Sequence, residues 1–223
     1  MSKIKNLLCP NSQVLFSTMS PISGTIEVVQ KGKERRLVVG GFVQSINWDC
    51  PGAEHRVWGQ MAKIALEGCP NAQKILLLGL GAGTVIGLLK KEKPPLKITA
   101  IEMDKKIIEI AYSYFGLSAF EDVEIIRKDA FNAIKNQKAD VVLVDVYCGG
   151  NFPEKFWSLE FFSFVRDALN NKGCAIFNKI LCVDTDKEIK HSKDYLLKVF
   201  GTVGVYKVNV VGNRGNILFL CKE

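Results

Sequence analysis

Three glycines and three acids carry the chemistry open to this chain. Gly79, Gly81 and Gly83 form a G-x-G-x-G turn at the end of the apolar run KILLLG. Glu102, 23 positions after Gly79, ends a second apolar run, LKITAIE. Glycine lets a backbone approach a ligand and take up φ values that a Cβ disfavours. The helix that follows such a turn starts with free N–H groups, and an acid at the tip of the next strand can accept from both ribose hydroxyls. These are the parts that hold an adenosyl group. A dinucleotide-binding turn would place a further glycine at position 84, where this chain has Thr84. The spacing is that of S-adenosyl ligands. Asp129 follows a third apolar run and Asp145 ends a fourth, so the polar groups fall at successive strand ends, where open α/β sheets bind ligands.

The elements that must position them can be read from pattern. Short apolar runs predict strands over 123–128, 140–146 and 173–178 besides those at 74–79 and 96–102. Helices are expected near 83–91, 104–116, 130–136, 158–171 and 184–200, with Asp104 and Asp184 as N-caps. Pro94-Pro95 stops the first of these helices. Strands alternating with helices imply an α/β, Rossmann-like, doubly wound and mostly parallel sheet. VGVYKVNVV and NILFLC, joined through GNRG, close it as an antiparallel hairpin, making seven strands. Before it, QVLF, GTIEVVQ and RRLVVGGFVQSI read as a small antiparallel β domain with a turn at Lys31-Gly32, and 54–68 as an amphipathic helix. The expected division is a β-hairpin domain over 1–53 and an S-adenosylmethionine-binding domain over 54–223.

Bulk properties narrow the function. No apolar stretch reaches the roughly 18 residues of a membrane helix, and the start has no signal-peptide pattern. The seven cysteines include no C-x-x-C and the chain has two histidines, so no zinc site is expected. Free cysteines in apolar runs fit a reducing, cytoplasmic setting. The net charge of +7 is scattered, with no aromatic-plus-basic pattern. It reads as a solvated surface rather than a nucleic-acid site. His55 and His191 have no nucleophile spacing around them.

With these residues in view, the chain resembles the spermidine synthase-like branch of the class I S-adenosylmethionine-dependent enzymes over about residues 25–223. The similar segments are LVVGGFVQSINWDCPGAEHRVWGQM, LLLGLGAGT, AIEMD, RKDAF, DVVLVDVYCGG and FWSLEFF. The resemblance implies that Glu102 binds the ribose, that Met103 packs on the adenine, and that Asp129 and Ala130 face its ring. It further implies that Gln44 reaches the sulfonium end and that Asp145 takes the proton of an attacking amine. It also implies a homodimer.

The departures lie in the acceptor half. The family's D-x-x-D is here Asp145-Val146-Tyr147-Cys148, and its Tyr-Gln is Trp58-Gly59. A diamine needs carboxylates to offset its desolvation. The expectation is therefore a methyltransferase acting on an amine of a small molecule or protein, with S-adenosylmethionine as donor and Tyr147 and Trp58 walling the acceptor. The alternative is an aminopropyltransferase using decarboxylated S-adenosylmethionine. A non-catalytic adenosyl-binding module is the third reading.

Overall fold

Two sheets, of four and seven strands, hold the described residues (12–181, 185–211 and 214–223) of a computed structural model. The larger sheet is built from β5 (Lys74–Leu78), β6 (Lys97–Ile101), β7 (Val123–Ile126), β8 (Ala139–Val144), β9 (Leu169–Leu181), β10 (Thr202–Val211) and β11 (Arg214–Lys222). Its order is β10-β11-β9-β8-β5-β6-β7. The five strands β5 to β9 are parallel, β11 runs antiparallel to β9, and β10 to β11. From β5 the chain winds outward through β6 to β7 and then returns to the other side at β8. The reversal opens a crevice between the carboxyl ends of β5 and β8.

Central strands read as continuous apolar runs because both faces are covered. In β5 and β8, Ile75–Leu78 and Val141–Val144 are at most 1% exposed. One face packs on α1 (Val57–Gly68), α2 (Thr84–Glu92) and α3 (Lys105–Phe115) through Met61, Ile64, Ile86, Leu89 and Ala111. The other packs on α4 (Ala130–Ala133), α5 (Leu159–Ala168) and α6 (Thr185–Leu196) through Ala133, Phe161, Phe162, Ile189 and Leu196. Cys174 and Cys221 are buried in these layers as small hydrophobes, and burial pushes the Cys174 thiol up to about 12. Among the described residues no helix is long and apolar enough to cross a membrane.

The small sheet, β1 (Ser12–Ser20), β2 (Gly24–Lys31), β3 (Glu34–Val39) and β4 (Phe42–Ile46), is an antiparallel meander. It has its own apolar face: Ile26, Val28, Leu37 and Val39 pack on Ala82 after β5 and on Ile107, Ile110 and Phe115 of α3. The sheet therefore lies over the carboxyl ends of β5 and β6.

Several boundaries differ from expectation. The run 35–46 is two strands, because Gly40 and Gly41 both have positive φ (57° and 85°) and close a two-residue hairpin. Helix α5 ends at Ala168 rather than 171, because Leu169 already pairs with Ala139 of β8. The expected helix over 130–136 is α4 followed by a 3₁₀ turn at Ile134–Asn136. Asp104 caps α3 as expected, accepting from the Lys106 N–H at 2.9 Å. Asp184 lies outside the described residues.

Candidate functional site

A cavity opens over the strand ends, between the large sheet and the small one. Of the residues expected in the site, Gln44, Trp58, Gly79, Gly81, Glu102, Met103, Asp129, Ala130, Asp145 and Tyr147 all line it, as does Cys148. Gly83 does not. It is the N-cap of α2 with φ 82°, and a Cβ there would meet Leu117, 3.2 Å away. Gly59, the partner of Trp58 in the sequence departure, also lies off the cavity. Its Cα sits so near the Glu54 backbone that a Cβ would be 2.3 Å from that carbonyl oxygen. Glycine at 59 is a packing requirement of the turn before α1.

The acids are spread along the cavity by the sheet order. Asp129 follows β7, Glu102 follows β6, the glycine turn follows β5 and Asp145 follows β8. Strands lie about 4.8 Å apart, so the β7 and β8 ends are about 14 Å apart, the scale of an extended adenosyl compound.

Each acid is held differently. Glu102 accepts the N–H of Asp104 at 2.9 Å and of Leu80 at 3.2 Å. Its carboxylate thus ties the glycine turn to β6. Burial raises its pKa, and those backbone donors oppose the shift. Asp129 caps α4, accepting the Phe131 N–H at 3.0 Å, and pairs with Lys155. Ala130 is the first residue of α4, and Met103 is 44% exposed at the cavity rim.

Among the described residues, the side-chain partners of Asp145 are neutral. The Asn178 side-chain amide donates to it at 2.7 Å, and the Trp58 indole also donates. Asn178 in turn accepts from the Asn216 amide at 2.9 Å, which fixes which end of the Asn178 amide faces the carboxylate. Burial pushes Asp145 up to about 6, against the pull of these hydrogen bonds. A carboxyl poised there is a base near neutral pH.

The roof is fastened through residues whose roles the sequence did not disclose. Thr84, read from the sequence only as a missing glycine, is buried. It donates to the Ile46 carbonyl, accepts the Ile46 N–H at 3.1 Å and pairs with the Ser45 hydroxyl at 2.7 Å. Gln44 lines the cavity while its amide donates to the Gly149 carbonyl at 2.6 Å. Ser20 and Ser23 both donate to Asp104 at 2.5 Å. Asn178 was legible in principle: it interrupts the apolar run CAIF on the strand next to β8. It ends the strand expected over 173–178 but carries no role in that reading, and the observed β9 runs on to Leu181. Nothing in the sequence pairs it with Asn216.

The chain is similar to known proteins. The spermine/spermidine synthase domain matches residues 54–221. A probable polyamine aminopropyl transferase of Bifidobacterium longum is 33% identical over 153 residues, covering 68% of this chain and 34% of that protein. A polyamine aminopropyltransferase of Vibrio vulnificus is 27% identical over 184 residues, covering 78% and 60%. The chain thus spans about a third to three fifths of the length of these curated relatives. Among solved structures, a spermidine synthase in complex with the transition state analogue AdoDATO superposes with a TM-score of 0.75 at 20% identity, covering 94% of this chain and 74% of that one. Human methyltransferase-like protein 13 in complex with SAH superposes at 0.61 with 22% identity, covering 78% and 82%. At these identities the structural likeness shows the fold alone.

Proposed function

The chain belongs to the spermine/spermidine synthase domain family, and from that premise we propose that it transfers an aminopropyl group from decarboxylated S-adenosylmethionine to an amine. The names of its curated relatives support this reading over the methyl transfer expected from the departures in the sequence. The observation that carries it is the charge of the cavity. Among the described residues its lining holds three carboxylates, Glu102, Asp129 and Asp145, and one basic side chain, Lys128, beside Asp129 at the β7 end. Among the described residues, the end between β5 and β8 has Asp145 and no cation. A donor bearing a tail carboxylate would meet no counter-charge there and would face Asp145. A donor without that carboxylate meets no such repulsion.

In this reading Glu102 accepts from the ribose hydroxyls with the lone pairs its backbone donors leave open. Asp129, Ala130 and Met103 receive the adenine. The donor supplies an electrophilic methylene bonded to a sulfonium. Asp145 receives the acceptor amine. As the nitrogen lone pair forms the new C–N bond, the C–S bond breaks, its electron pair stays on sulfur as a thioether, and Asp145 takes the amine proton. Trp58 and Asn178 hold the carboxylate in line, and the small sheet covers the crevice from water.

Methyl transfer is the second reading. The single carboxylate at the acceptor end favours it, since an in-line methyl displacement needs alignment more than counter-charge. Incubation with decarboxylated S-adenosylmethionine and a panel of amines, followed by chromatography, tests the proposal. Release of methylthioadenosine that depends on an amine is expected. Release of S-adenosylhomocysteine from S-adenosylmethionine in its place would overturn the proposal.

A further inference from the structure

Around Asp145, several polar groups of the cavity are engaged within the protein. The Trp58 N–H and the Asn178 amide donate to Asp145 itself. The Tyr147 hydroxyl accepts the Ile180 N–H at 2.7 Å, and the Gln44 amide donates to the Gly149 carbonyl. An acceptor meets the open lone pairs of Asp145, two aromatic rings, the neutral side-chain carbonyl of Gln44 and the Cys148 thiol. The other lining carboxylates, Glu102 and Asp129, follow β6 and β7, two and three strand spacings away, or about 10 and 14 Å. Glu102 lies on the donor's path, and Asp129 is paired with Lys155.

We propose that the acceptor carries a single cationic nitrogen on an otherwise uncharged, apolar body, as a short alkyl or arylalkyl monoamine does. This rests on the aminopropyl reading for the reaction and adds the chemical class of the acceptor. The ammonium of a monoamine pairs with Asp145, and its carbon body lies along Trp58 and Tyr147. A diamine entering the same way brings a second ammonium against Trp58, Tyr147 and Cys148. No carboxylate stands there among the described residues, so the second ammonium loses part of its hydration beside the two rings without gaining an ion pair.

Butylamine and putrescine share a four-carbon body and differ by one nitrogen. Calorimetric titration of each into the full chain saturated with 5′-methylthioadenosine tests the inference. Butylamine is expected to bind about 10-fold tighter or more, the scale of a charge-assisted contact. Equal or tighter binding of putrescine, or binding of neither, overturns the inference. In Cys148→Asp the ratio is expected to swing toward putrescine by about 10-fold or more, and an unchanged ratio counts against it. Methylthioadenosine release from decarboxylated S-adenosylmethionine, assayed on the same protein, separates the two readings. Butylamine preference in binding without release contradicts the reaction but upholds the acceptor class. Faster release with putrescine upholds the reaction and overturns the acceptor class.

Discussion

Protonation of Asp145 sets the lower pH limit of the chemistry, because only the ionised carboxylate can take a proton from an amine. Burial places its titration at about 6, so turnover per folded molecule should fall as pH drops through about 6. The same shift acts oppositely on stability. In the folded state the group holds its proton to a higher pH than its ordinary value of 3.8. Its contribution to stability therefore declines as pH rises from about 4 to about 6. Asp145→Asn keeps the acceptor for the Asn178 amide and removes that penalty. It should lower turnover by about 10²- to 10⁴-fold, leave adenosyl affinity within a few-fold, and melt no lower than the parent at pH 7. A lower melting temperature with an unchanged rate would make Asp145 a structural residue. Asn178→Ala removes a hydrogen bond that opposes the burial shift. Its acid limb should move to higher pH, whereas a residue that only packs would lower stability without moving the limb. Glu102 serves both the turn and the ribose. Glu102→Gln should weaken binding of the adenosyl donor by roughly 10- to 150-fold, the loss of about 1.5–3 kcal/mol of charge-assisted hydrogen bonding. The Leu80 and Asp104 N–H groups use different carboxylate oxygens, so Gln leaves one of them without an acceptor and Ala leaves both, and the melting temperature should fall in each variant and further in Glu102→Ala.

At the scale of elements, the glycines of the turn have separate reasons. Gly79 has φ 90°, and a Cβ would lie 2.2 Å from the Asp145 carbonyl oxygen. Gly79→Ala should therefore destabilise the fold by about 2 kcal/mol or more, from strained backbone and forced separation of β5 and β8. That loss would be read as a lower denaturant midpoint. Gly81 has φ 54° and would bring a Cβ to 3.1 Å from Ser45 Oγ. The turn is thus shaped as much by the sheet above it as by a ligand, which the motif alone does not reveal. Asp104 joins the same elements from the other side, capping α3 and receiving Ser20 and Ser23 from the β1–β2 turn. It does not line the cavity. Asp104→Ala should nonetheless weaken adenosyl binding along with stability, because the roof is released. Unchanged affinity in a destabilised variant would show that the roof is seated by other contacts. Strand and helix identities were legible because both-face burial writes apolar runs and one-face burial writes a 3.6-residue period. Boundaries set by pairing partners, such as the start of β9 at Leu169, were not.

Across the whole molecule, one sheet order converts a list of acids into a sequence of subsites. Asp129, Glu102 and Asp145 are far apart in the chain, and winding outward from β5 and back to β8 sets them in a row. The row was legible because each acid ends or follows an apolar run. The Asn216–Asn178–Asp145 chain and the Thr84 clasp were not, since each joins residues 38 apart in the chain that only the tertiary fold brings together. The charge of the row favours a donor without a carboxylate, and that preference is the account's central claim. It is tested most directly by calorimetric titration of the full chain with decarboxylated S-adenosylmethionine and, separately, with S-adenosylmethionine. The decarboxylated donor should bind about 10-fold tighter or more, since the other places a carboxylate beside Asp145 with no cation among the described residues there to meet it. Equal or tighter binding of S-adenosylmethionine would contradict the account.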